Sequence, residues 1–132
     1  LFDSLDTVEA SLVVATEMIK EMTVLKNNMM KAAEEGFINA TDLADYLTKK
    51  GVPFRESYRI SGEIVSYCEE NGQVLSKVPL EKYKEYSPLF EEDLYTAIDL
   101  MVCVNKRVSF GGTAKENVEE QIKYIESITK EN

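Results

Sequence analysis

The chain has 132 residues, 44% of them hydrophobic, and carries 24 acidic against 15 basic side chains for a net charge of −9, with no histidine. A chain near this size buries roughly two thirds of its unfolded surface, so one compact domain with a real core is allowed. The acidic balance disfavours a nucleic-acid or anionic-membrane partner by long-range repulsion, and the missing imidazole removes the commonest general base and metal ligand.

The first element is a long amphipathic helix over residues 1 to 22. Leu1, Leu5, Val8, Leu12, Ala15, Ile19 and Met22 recur at alternating steps of four and three, the spacing that lines one helix face. Val14 and Met18 widen that face, which predicts packing partners on more than one side. The opening Leu1-Phe2-Asp3-Ser4 has neither an initiator methionine nor a charged n-region. From it we expect no secretory signal, and either a processed chain or a piece cut from something longer. No apolar run approaches the roughly 20 residues that span a bilayer.

A second helix is expected over 26 to 35, with Met29, Met30, Ala32 and Ala33, closed by Gly36 as a left-handed C-cap. After a connector at 37 to 40, Thr41 is read as the N-cap of a helix over 42 to 50, with Asp42 in its first turn and Leu43, Tyr46 and Leu47 facing the core. Lys49 and Lys50 suit its negative end, and Gly51 stops it. Pro53 then permits a new start, and Phe54, Tyr58, Ser61, Val65 and Cys68 keep helical spacing until Asn71-Gly72. Ser87-Pro88 reads as the opening of a helix from 88 to about 98. Residues 100 to 104 are β-branched enough for a strand, but a lone strand has nothing to pair with, so a helix is expected. Gly111-Gly112 marks a turn, and Thr113 to Glu116 has capping-box spacing for a last helix with Val118, Ile122 and Ile125 inward. The fold class predicted is all-α: the long N-terminal helix followed by a small orthogonal helical domain with helix-turn-helix elements.

Candidate chemistry is sparse. The carboxylate runs Glu34-Glu35, Glu69-Glu70, Glu91-Glu92-Asp93 and Glu119-Glu120 fall on polar faces or helix ends, where solvation explains them. Gly111-Gly112-Thr113 could hold an anion on free backbone N–H groups, but it lacks the lysine of a P-loop and the third glycine of a dinucleotide fold. Ser57, Ser61, Ser66 and Ser109 have no histidine to activate them. Cys68 and Cys103 read as buried reduced thiols, which together with the charge points to a cytoplasmic protein. The segment from Thr41 to Val65 has the layout of a DNA-binding helix-turn-helix with Arg55 and Arg59 on the second helix. Glu56 and Glu63 on the same helix and the acidic chain weigh against that alternative.

Three longer stretches carry more information. The run Met30-Lys31-Ala32-Ala33-Glu34-Glu35-Gly36-Phe37 continues as Ala40-Thr41-Asp42-Leu43-Ala44-Asp45-Tyr46-Leu47 and Lys50-Gly51-Val52-Pro53-Phe54-Arg55-Glu56, with Leu1-Phe2-Asp3-Ser4 before it and Gly111-Gly112-Thr113-Ala114 after it. In that order and spacing they closely resemble the C-terminal region of argininosuccinate lyases, over nearly the whole chain. The chain departs from the family at Ser57-Tyr58, where Ala-His is common, and at Lys115, where proline is common.

The resemblance implies a homotetramer of the fumarase and aspartase superfamily that splits argininosuccinate into arginine and fumarate without a cofactor. It implies that residues 1–25 end a central-bundle helix and that residues 26–132 form the C-terminal helical domain. The family's catalytic serine lies in a Gly-Ser-Ser-x-Met-Pro-type signature, and its substrate-contacting tyrosine, glutamine and lysine lie upstream of Leu-Phe-Asp. No catalytic, cofactor-binding or metal residue is therefore carried over, and the chain alone is expected to be inactive. Self-association through Leu5, Val8, Leu12, Ala15 and Ile19 is expected, with no nucleic-acid or membrane partner.

Overall fold

The computed structural model describes residues 2–130. Among the described residues the fold is all-helical, without strands. Eight α-helices follow one another: α1 Phe2–Lys20, α2 Lys26–Glu35, α3 Ala40–Lys49, α4 Phe54–Glu70, α5 Leu80–Tyr86, α6 Leu94–Ala97, α7 Leu100–Asn105 and α8 Lys115–Lys130, with a 3-10 turn at Leu75–Lys77 between α4 and α5. The chain divides into two compact units, Leu1–Met30 and Lys31–Asn132, and the division falls inside α2.

The first unit is dominated by α1. The expected spacing does produce one long helix, but none of its residues is buried. Leu5, Val8, Leu12 and Ile19 all face solvent. Thr7, Ser11 and Thr16 donate their hydroxyls back to the carbonyls of Asp3, Thr7 and Leu12, each four residues earlier (2.7 to 2.8 Å).

The second unit holds the core. Leu43, Tyr46 and Leu47 of α3 meet Ile60, Ile64 and Cys68 of α4, and Leu75, Val78, Tyr83, Phe90, Leu94 and Ile98 close over them. The expected core of α3 is therefore found. The buried side of α4 is rotated from the expected stripe: Ser57, Ile60, Ser61, Ile64 and Cys68 are inside, whereas Phe54 and Tyr58 are exposed. The reason lies in the serines. Ser61 Oγ donates to Ala40 O at 2.7 Å and Ser57 Oγ to Val52 O, so two small satisfied polar groups sit where α3 and α4 pack.

Three helices end in the same way. The N–H of Phe37, Gly51 and Gly72 bonds to the carbonyl three residues back, and the next N–H bonds to the carbonyl five residues back. This is the Schellman arrangement. Gly51 and Gly72 occupy its left-handed position, as expected. At the end of α2 the left-handed residue is Phe37 (φ 49°) rather than Gly36. Gly36 still belongs to the helical turn, with its N–H on Ala32 O at 2.9 Å. Phe37 accepts the unfavourable backbone because its ring packs against the core.

Other boundaries also moved. The helix α3 starts at Ala40 with Asn39 at its N-cap, not Thr41. The buried Asn39 amide donates across the domain to Ile98 O at 2.6 Å instead of capping. The helix expected from 88 to 98 is reduced to α6, because Phe90 is drawn into the core and the Glu91 N–H bonds to the Tyr46 hydroxyl (3.2 Å). The segment read as a lone helix does form α7, capped by Asp99, whose Oδ1 accepts from Val102 N at 2.9 Å.

At α8 the expected capping box is replaced. The Thr113 hydroxyl donates to Val104 O, and the Lys115 N–H meets Asn105 Oδ1. Val118, Ile122 and Ile125, expected inward, are exposed. The Gly111-Gly112 turn is real, with Gly111 at φ +74°. A Cβ on Gly112 would lie 2.2 Å from Arg107 O, so only glycine fits there.

Candidate functional site

Three ionic clusters account for most of the polar architecture. The first joins α3 to the segment before α6. The Tyr46 hydroxyl donates to Asp93 Oδ1 at 2.5 Å, and Lys50 Nζ pairs with Glu91 and lies 3.7 Å from Asp93 Oδ1. The same ammonium sits 4.6 Å from the centre of the Tyr46 ring. The Tyr46 hydrogen bond holds the Asp93 carboxyl below the usual aspartate range, with Lys50 adding to the effect. Glu91, then Tyr46, raise Lys50 above the ordinary lysine value. Burial, then Asp93, push the Tyr46 phenol up.

The second cluster lines a cavity of about 220 Å³ formed by Ile38, Asn39 and Asp42 on one side and Cys103, Val104 and Arg107 on the other. Arg107 Nη2 lies 3.1 Å from Asp42 Oδ2, and Nη1 donates to Cys103 O. The Asp42 carboxylate raises the Arg107 pKa further. Cys103 Sγ donates to Ala97 O at 3.3 Å, and burial followed by Asp42 pushes its thiol up to about 11.

The third cluster lies along α4. Arg59 Nη2 pairs with Glu56 Oε1 at 2.5 Å and Nη1 with Glu63, so one guanidinium is gripped by a carboxylate on either side. Glu56 is held below the usual glutamate range by that contact. Of Arg55 and Arg59, the two arginines read on the second helix of a helix-turn-helix layout, Arg59 is thus paired within its own helix.

Every shift in these clusters deepens an existing charge state. Lys50, Arg59 and Arg107 are held cationic, Asp93 and Glu56 anionic, and the Tyr46 phenol and Cys103 thiol neutral. Of the carboxylate runs read from the sequence, Glu69, Glu70, Glu91, Asp93, Glu119 and Glu120 are exposed as expected. Glu91 and Asp93 in addition meet Lys50 and Tyr46, contacts the sequence did not signal. Ser57 and Ser61 are buried and hydrogen-bonded to backbone carbonyls, while Ser66 and Ser109 are exposed. Cys68 and Cys103 are buried free thiols, as read from the sequence. Among the described residues no group of three or more Cys, Asp or Glu side chains is placed to hold a metal ion, and no helix is long and apolar enough to cross a membrane.

Fold and clusters together define an all-α protein whose second unit is a small helical domain stapled by long-range ion pairs. Residues 37–105, the heart of that domain, match the family model described as argininosuccinate lyase C-terminal. The chain belongs to the argininosuccinate lyase family. It is 50% identical over 122 residues to the argininosuccinate lyase of Caldicellulosiruptor bescii, covering 92% of this chain and 26% of that protein. With the argininosuccinate lyase of Clostridium beijerinckii it shares 48% over 132 residues, 100% of this chain and 29% of the relative. With that of Bacillus licheniformis it shares 52% over 122 residues, 92% of this chain and 27% of the relative. The chain therefore spans between about a quarter and three tenths of the length of the curated relatives it matches.

Proposed function

We propose that this chain is the C-terminal part of an argininosuccinate lyase, a cytoplasmic enzyme that cleaves argininosuccinate to arginine and fumarate, and that its own role is structural. On this reading residues 1–25 end a central-bundle helix, residues 26–132 form the C-terminal domain, and copies associate through Leu5, Val8, Leu12, Ala15 and Ile19. The observation that carries the reading is the match of residues 37–105 to the C-terminal family model. The static clusters support the non-catalytic part, since their ionisable groups are committed to one another. The exposed face of α1 supports association, because uncovered apolar surface of that extent drives burial.

The test is a split-enzyme assay. The purified chain, incubated with argininosuccinate, is expected to release no fumarate. Mixed with the complementary upstream part of the Clostridium beijerinckii lyase, it is expected to restore release. Fumarate from the chain alone would overturn the non-catalytic reading, and failure of a folded mixture to gain activity would overturn the assignment as a lyase part.

A further inference from the structure

The turn before α8 and the first three turns of that helix border a cavity of about 330 Å³, walled by Phe110, Gly111, Asn117, Glu120, Gln121 and Tyr124. Asn117 directs its amide N–H groups to the carbonyls of Ser109 (2.6 Å) and Arg107 (3.5 Å), and Gln121 directs one of its two to Gly112 O (3.4 Å). Both amide oxygens are left to accept from a guest. Glu120 adds a carboxylate that is in no ion pair among the described residues, while the nearby Lys115 is engaged with Glu119 at 3.7 Å. Phe110 is fully exposed and Tyr124 is 67% exposed, and among the described residues neither ring packs on another ring or carries a cation.

We propose that this cavity binds the guanidinium group of an arginine-type ligand, between the Phe110 and Tyr124 rings and against Glu120. An aromatic face attracts a cation, and the Glu120 carboxylate on the same wall favours one as well. Guanidinium suits this wall better than a compact ammonium, since it is planar, stacks on rings, carries five donors and is weakly hydrated. The volume lies at the lower end of the range of small-molecule sites. The net charge of −9 also draws cations toward the chain. The inference stands on this geometry alone and does not depend on the lyase assignment, so the fumarate assay and the titration below fail independently.

The test follows amide chemical shifts of the full chain during titration with L-arginine, with L-citrulline as its neutral isostere, and with a capped Gly-Arg-Gly peptide. Arginine is expected to give saturable, salt-sensitive shifts at Gly111, Asn117, Gln121 and Tyr124, with an affinity of about 1 mM for a ligand this small and exposed. Phe110→Ala, Tyr124→Ala and Glu120→Gln are each expected to weaken binding about threefold to fivefold, and the Phe110→Ala/Glu120→Gln pair to lose it. Tyr58→Ala, on the exposed side of α4, is expected to bind as the parent does. Equal binding of the capped peptide would place an arginine side chain of a polypeptide in the site, and preference for free arginine would show that its amino and carboxylate groups are read too. Either keeps the guanidinium site. Citrulline matching arginine, no saturable shift up to about 50 mM, or unchanged affinity in the substituted chains would overturn it.

Discussion

Tyr46 and Asp93 lie 47 positions apart in sequence, and the phenol of one donates to Oδ1 of the other at 2.5 Å. The same hydroxyl accepts the Glu91 N–H at 3.2 Å, and the Tyr46 ring stacks on Phe90 with centroids 5.8 Å apart and planes 6° from parallel. One α3 side chain thus holds residues 90, 91 and 93 at once, and this accounts for their leaving the helical path. Tyr46→Phe keeps the stack and removes both hydrogen bonds. It is expected to lower stability by about 1–2 kcal/mol in urea unfolding, with the far-UV spectrum unchanged. An unchanged midpoint would mean that the ring alone fixes the segment.

Acid should expose the same link. Asp93 is held below its unfolded value of about 3.9, first by the Tyr46 hydrogen bond and then by Lys50. A depressed folded pKa means the folded state holds the carboxylate more firmly than the unfolded chain does. The stabilisation is therefore complete above the unfolded value and is lost as the pH falls through the lower folded one. Asp93→Asn removes this proton uptake, so the fall of the urea midpoint below about pH 4 should be shallower than in the parent. Parallel curves would remove Asp93 from the acid response.

The two thiols offer a probe of opening. Burial pushes Cys68 up to about 11, and burial followed by Asp42 does the same for Cys103. Only thiolate attacks a disulfide reagent, so at about pH 8 both should be inert in the folded protein and react in urea. Their rates at low denaturant should follow the opening of the Lys31–Asn132 unit. Fast reaction of Cys103 alone would show that the cavity beside Asp42 opens separately.

The sequence made local features legible and long-range ones not. Gly51 and Gly72 could be read as helix ends because a left-handed position selects glycine from its immediate neighbours. The α7 helix followed from the absence of any strand to pair with. Phe37 defeated the same reasoning, since its left-handed backbone is sustained by core packing and the adjacent Gly36 was the obvious candidate. Lys50 and Glu91 are 41 positions apart, and no local pattern around either residue signals their pairing. Nor did spacing choose the right face of α4: Ser61 and Cys68 lie on the expected stripe, but the buried face runs through Ile60 and Ile64 and includes Ser57, a polar residue that hydrophobic periodicity does not count.

The division into two units predicts opposite responses to two substitutions. Ile64 is fully buried among Leu43, Leu47 and Cys68, so Ile64→Ala should cost about 2–5 kcal/mol through lost burial and the cavity left behind. Leu12 is 63% exposed on a helix that buries nothing. Leu12→Asp should therefore leave the unfolding of the core within about 0.5 kcal/mol of the parent. On the reading of α1 as the surface where copies meet, Leu12→Asp should still shift sedimentation toward monomer, because it places a charge inside an apolar contact. Core unfolding and association are thus read in separate experiments on the same variant. A monomeric parent at high concentration that Leu12→Asp leaves unaltered would reject the association surface, whereas a large loss of core stability in Leu12→Asp would show that α1 contributes to the core after all.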